Sequence, residues 1–201
     1  MPLTSTTCDL SAHLANLCAD LCRRTPALGH IDPQVLLFAL SRSRAEGTHG
    51  LYARIAPLRF AAGAAESSRR RGRFVETYRM PSLIHEGRHI LYLIHILFPR
   101  YLRLSFEQKL ATLIHELYHV SERCDGDIRR FAGRTFAHGP SRREFNRRVE
   151  EIQASYLASA PDPRHLAFLR LTEEEWRLGR IRLTGLSVPL PRARLVVRRR
   201  I

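Results

Sequence analysis

His115-Glu116-Leu117-Tyr118-His119 is an HExxH sequence. On a helix, residues four apart project to one face, so both imidazoles can reach one Zn²⁺ at about 2.0–2.1 Å. Glu116 stands beside the first ligand. There it can take a proton from the water that the metal activates and hand it to a leaving amine. That division of labour is peptide-bond hydrolysis. A zinc of this kind needs a third protein ligand and one open position. The candidates after His119 are His138, Glu150, Glu151, Asp125 and Asp127. His138 is the first choice, because it ends a glycine-bearing loop just before a helix and lets the chain fold back over the metal. Glu150 or Glu151 would be supplied by that following helix. Asp125 and Asp127 can also orient a ligand imidazole or cap the loop's own backbone. Tyr118, Arg134 and Tyr156 are candidate oxyanion donors that the sequence does not rank. Arg129 and Arg130 fit a solvated surface better than a clamp for substrate carboxylates.

A second HExxH, His85-Glu86-Gly87-Arg88-His89, is followed six residues later by His95. In the three-histidine zinc peptidases that use this spacing, a glycine midway between the second and third histidines breaks the helix. Here that position is Tyr92, and the glycine falls inside the motif instead. The flanking ILYLIHILF is strand-like, so residues 75–99 are expected to form two strands turning at Glu86–Arg88. Cys18 and Cys22 lie one helical turn apart with no second close pair after them, which suits cysteines on a helix face.

The elements that must position His115 and His119 are partly legible. Ser105 followed by Gln108 is a capping box. Phe106, Leu110, Leu113, Ile114 and Leu117 then line one apolar helical face. Residues 9–24 have leucines at helical spacing, with Asp9 or Ser11 as cap. Residues 34–40 and 51–62 suit strands, Pro57 marking an edge or bulge. Ser67–Arg73 is expected to be a charged loop, and 124–140 a long one. Ser141–Ser159 returns to helix, with Phe145, Val149, Ile152, Tyr156 and Leu157 as its buried side. Thr172 caps a short acidic helix containing Trp176, and residues 180–201 suit extended strands.

The chain has 201 residues, 44% hydrophobic and 26% charged, which fits one globular domain with its own core. That core is expected over residues 34–159, with an N-terminal helix before it and a basic tail after it. No apolar run reaches the ~20 residues of a membrane span. The N-terminus lacks a basic, apolar or cleavable leader, so the cytoplasm is the expected compartment. The four cysteines do not make a disulfide framework. Net charge is +14, and of 33 basic residues only Lys109 is lysine. The lysine deficit looks like compositional bias, but the excess of positive charge does not, and it makes nucleic acid a plausible partner.

The pieces LATLIHELYHV, CDGDIRRFAGRTFAH and the HG that follows resemble bacterial zinc metallopeptidases of the SprT-like and minimal gluzincin kind, over roughly residues 75–157. The resemblance implies an α+β, zincin-like fold with a small sheet packed on the HExxH helix. It implies His115, His119 and His138 as zinc ligands, Glu116 as general base, and a protein or peptide substrate. The 19 positions from His119 to His138 exceed the SprT-like spacing, and the four-cysteine ribbon of many such proteins is missing. The alternatives are a basic nucleic-acid-binding protein with a structural metal or none, and a non-catalytic scaffold. An intact Glu116 argues against the scaffold. Oligomeric state is open.

Overall fold

Asp9 accepts a hydrogen bond from the Ala12 N–H at 3.1 Å and starts the first long helix. In the computed structural model, which describes residues 6–42, 51–131 and 141–201, the elements follow in this order. They are β1 (Thr6–Asp9), α1 (Leu10–Arg24), β2 (Leu36–Arg42), β3 (Ala53–Pro57), β4 (Glu66–Arg71) and β5 (Phe74–Arg79). Then come β6 (Leu83–His85), β7 (Arg88–Ile90), β8 (Tyr92–Phe98), α2 (Phe106–Tyr118) and α3 (Arg142–Ala158). Last are α4 (Pro163–Leu166), α5 (Glu173–Arg177), β9 (Ile181–Thr184) and β10 (Arg194–Arg200). The protein is therefore α+β, with small sheets and five helices among the described residues. Among these residues no helix is long and apolar enough to cross a membrane.

The central sheet has the order β2-β8-β3. β2 runs parallel to β8, with Leu36 opposite Tyr92 and Phe38 opposite Ile94. β3 runs antiparallel on the other side of β8, with Ala53 opposite Ile96 and Ile55 opposite Ile94. Side chains alternate across a strand. Leu36, Phe38, Tyr92, Ile94 and Ile96 enter the main core with the leucines of α1 and α2. Leu37, Ala39 and Leu93 enter a smaller cluster with Leu58 and Ile90 on the opposite face. Burial on both faces explains why β2 and β8 are continuously apolar rather than alternating.

The capping box forms as the sequence predicts. Ser105 Oγ accepts from Gln108 N–H at 3.2 Å, and Gln108 Oε1 accepts from Ser105 N–H at 3.0 Å. α1 adds Leu10, Leu14, Leu17 and Leu21 to the main core, so that core extends beyond residues 34–159. α3 lays Phe145, Val149, Ile152 and Tyr156 into it. Leu157 departs from expectation: it is 38% exposed, one position past Tyr156 and so turned toward solvent. Cys18 and Cys22 are free, buried and 4.0 Å apart on the helix face, as expected.

Two further expectations change. Ser67–Arg73 is largely strand, not loop: β4 and β5 form a hairpin in which Arg71 faces Phe74 across the Gly72–Arg73 turn. β10 pairs antiparallel with β5 on its other side, giving a sheet of order β10-β5-β4. Residues 75–99 hold four strands rather than two, because β6 and β7 make a separate small hairpin before β8. The tail is extended as expected, with β9 pairing parallel to β1.

Candidate metal centre

α2 ends at the second histidine of the motif. His119 is its C-cap, its N–H bonded to the Glu116 carbonyl at 3.2 Å, and it remains helical at φ −75°, ψ −15°. Because helical geometry persists to that residue, the four-residue spacing brings the two imidazoles together. His115 Nε2 and His119 Nε2 stand 3.2 Å apart. Two nitrogens held tetrahedrally at about 2.0–2.1 Å from one zinc would be separated by roughly 3.3 Å. The pair therefore fits two positions of a zinc site. The Phe145 ring of α3 packs against both, its centroid 4.8 Å from that of His115 and 4.9 Å from that of His119.

Glu116 is 7% exposed. Its Oε2 accepts a hydrogen bond from the backbone N–H of Ile55 at 2.8 Å. Among the described residues β3 is an edge strand with β8 as its one neighbour in the sheet, and this contact ties the helix to it. Burial pushes the Glu116 carboxyl up and the Ile55 N–H pulls it partly back, leaving it at about 7. A cleft of about 490 Å³ opens beside the three motif residues. β3 lines one side through Ala53, Arg54, Ile55 and Pro57, and α3 lines another through Arg142 and Asn146.

After His119 the chain turns back. Val120 bridges Ile128, and Arg129 N–H bonds to the His119 carbonyl at 2.7 Å. Asp125 and Asp127 hold this turn together. Asp125 Oδ1 accepts from Ser121 Oγ at 2.6 Å. Asp127 accepts from the Ala62 and Ile128 N–H groups at 3.0 and 2.9 Å and pairs with Arg130 at 2.8 Å. Burial raises the Asp127 carboxyl, but these hydrogen bonds outweigh it and keep it ionised to lower pH. Gly126, at φ +88°, passes so close to Arg59 that a Cβ would sit 2.6 Å from Arg59 Cγ. The phenol of the buried Tyr92 closes the turn, accepting from Gly126 N–H at 2.9 Å and donating to the Asp127 carbonyl at 2.8 Å.

The other candidates separate. Glu150 lies on α3 beside a neighbouring cavity of about 380 Å³ that it shares with His115 and Glu116. Glu151 is engaged with Arg147 and Arg148 along the exposed side of the helix. Tyr156 is not an oxyanion donor: its hydroxyl is buried and donates to Asp20 Oδ2 at 2.8 Å. Tyr118 lies against the Arg129 guanidinium, 4.6 Å from its ring centroid, and does not line the clefts that hold Glu116. Arg129 also pairs with Glu122. His138 and Arg134 lie outside the described residues. Among the described residues no three His, Cys, Asp or Glu side chains are grouped closely enough to hold a metal.

The second motif does not converge. Glu86 and Gly87 take φ +49° and +76°, the conformation of a tight two-residue hairpin turn. His85 pairs with Arg88 and His89 with Ile84, so the two histidines occupy opposite faces. His95 is buried in β8, with its Nε2 2.8 Å from the Val188 carbonyl oxygen.

Arg142 and Asn146 are the cleft residues that motif reading passes over. Their signal is spacing: Arg142, Asn146 and Glu150 recur every four residues, next to the Phe145–Val149 stripe that packs on α2. Comparison of the chain with protein-family models, with curated proteins and with solved structures finds no match.

Proposed function

We propose that the chain is a zinc-dependent metallopeptidase, with His115 and His119 as ligands and Glu116 as general base. The observation that carries this reading is the 3.2 Å approach of His115 Nε2 to His119 Nε2 beside a buried carboxylate. Zinc, when bound there, supplies a polarised water that loses its proton near neutral pH and a Lewis acid for the scissile carbonyl. His138 is the proposed third ligand, with Glu150 the alternative that borders the same site.

The protein's own groups do the rest. The Ile55 N–H holds Glu116 Oε2 in place, leaving Oε1 to take the proton from the attacking water. As the carbonyl carbon gains its new C–O bond and the C–N bond breaks, Glu116 returns that proton to the leaving amine. A carboxyl near pH 7 is poised for both transfers. The β3 edge beside the cleft offers backbone groups along which an extended peptide can lie as an added strand. The Phe145 ring packs against both imidazoles and restricts their rotation.

The deciding experiment is metal content by mass spectrometry on untagged wild type, His115→Ala and His85→Ala. About one zinc per chain, lost in His115→Ala and kept in His85→Ala, is expected. Peptide hydrolysis abolished in Glu116→Gln with zinc retained completes the test. Zinc that follows His85, or no zinc in any form, overturns the reading.

A further inference from the structure

Two arginine triplets far apart in sequence, Arg69–Arg71 and Arg198–Arg200, meet on the β10-β5-β4 sheet. The register aligns them in rows across β5: Arg69, Glu76 and Arg198; Arg70, Val75 and Arg199; Arg71, Phe74 and Arg200. Every residue of β4 and β10 is exposed. The sheet with its turn holds nine arginines against two glutamates. One of these, Glu66, pairs with Arg79 at the end away from the turn. The other, Glu76, is 3% exposed in the middle strand.

Glu76 organises the first row. It lies 3.9 Å from Arg69 Nε and 3.6 Å from Arg198 Nε, and accepts from the Tyr78 hydroxyl at 2.9 Å. The guanidinium of Arg69 covers the Tyr78 ring at 4.6 Å, and that of Arg198 covers Phe74 at 4.1 Å. These two arginines are thus held flat on the sheet. The outer rows, Arg70, Arg71, Arg199 and Arg200, have no acid within ion-pair distance among the described residues. Arg71 and Arg200 share the face of Arg69 and Arg198, and Arg70 and Arg199 stand on the opposite face.

We infer that this arginine-bearing end of the sheet is a docking surface for the phosphate backbone of duplex nucleic acid. Same-face arginines repeat about every 6.8 Å along a strand, and the two arginine-bearing strands lie about 10 Å apart. With side chains reaching beyond each edge, that width matches a major groove about 12 Å across with phosphates on both lips. Guanidinium groups match phosphate oxygens in pairs, and on the face of Arg69 and Arg198 the outer pair Arg71 and Arg200 carries its charge unpaired by carboxylates. Contacts of this kind position a duplex without selecting its sequence. None of these residues lines the clefts beside His115 and Glu116, so the surface stands independently of the peptidase reading.

The test is fluorescence anisotropy with a labelled duplex of about 20 base pairs over a salt series. The probe variant carries Arg70, Arg71, Arg199 and Arg200 all changed to Gln, which leaves the Arg69–Glu76–Arg198 row intact. A charge-matched control changes the exposed Arg88, Arg143, Arg180 and Arg182 to Gln. The probe variant is expected to bind at least about tenfold more weakly near 0.1 M salt. The slope of log K against log salt should shrink by about 2, roughly 0.9 for each of Arg71 and Arg200, the changed pair on the docking face. The control should stay within about threefold of wild type, both variants melting like it. Should the four-site variant fold poorly, Arg71→Gln with Arg200→Gln, the outermost row, carries the same test with the same slope change. Equal weakening in probe and control, no duplex binding by wild type, or binding confined to anionic phospholipid vesicles overturns the proposal.

Discussion

Glu116 and Ile55, 61 residues apart, are joined by a 2.8 Å hydrogen bond from the backbone of an edge strand to the carboxylate of the HExxH helix. The bond fixes the carboxylate and, with burial, sets its protonation near neutrality.

Metal-free protein should therefore lose stability as pH rises. Glu116 has a folded pKa of about 7 against about 4.5 unfolded. The folded state thus binds the extra proton between those values. Its favourable contribution is complete below about pH 4.5 and is lost as pH climbs through 7. Glutamine stays neutral and still accepts from Ile55. In chelator, Glu116→Gln should match wild type near pH 5 and exceed it by about 2–3 kcal/mol at pH 8. Urea unfolding across that range measures it, and a gap that does not widen with pH sinks the account.

Asp20 works in the opposite direction. It is buried beneath α3, where Tyr156 donates to it at 2.8 Å, Arg24 at 2.9 Å, and Arg23 also pairs with it. Burial raises its carboxyl, but these donors together hold it at about 2. Its stabilisation is present above the unfolded value near 3.8 and fades as pH falls through 2. Asp20→Ala should cost about 3 kcal/mol at pH 7 by leaving the Tyr156 hydroxyl buried without its acceptor. Adding Tyr156→Phe should recover part of that loss. A double variant no more stable than Asp20→Ala would show that the pair is not coupled.

Tyr92→Phe removes the hydroxyl that closes the turn after His119. Gly126 N–H loses its acceptor in the interior, and the cost should be about 1–3 kcal/mol. Because that turn carries Asp125 and Asp127, amide exchange should quicken over residues 121–128 while α2 keeps its protection. Uniform quickening along the chain would instead mean global destabilisation.

What the sequence made legible was local. α1, α2 and α3 declared themselves through caps and apolar spacing, and the four-residue interval of His115 and His119 grouped them before any fold was known. Pairing partners were another matter. β4 looks like a loop because SSRRRGR has no apolar alternation; its strand character comes from β5 and, beyond it, from residues near 200. β6 and β7 are three residues each, too short for a periodic signal. Tyr156, placed by its spacing on the buried side of its helix and also one of three unranked oxyanion candidates, is structural, and nothing local reveals its acceptor Asp20, 136 residues upstream. Lys109 is likewise misplaced by type. The single lysine is buried and donates to the carbonyls of Leu169 and Leu171 at 3.0 and 2.6 Å.

The parallel pairing of β1 with β9 sets an order on biosynthesis. Thr6 finds Ile181 and Asp9 finds Thr184, so β1 must wait for a partner made about 175 residues later. At about 5–20 residues per second that delay is roughly nine to thirty-five seconds. During it, the β1 edge is unmatched while α1 already presents its leucines for burial. A nascent chain stalled before residue 181 should thus expose a sticky strand edge, making the time before β9 emerges the interval when this protein most needs a chaperone.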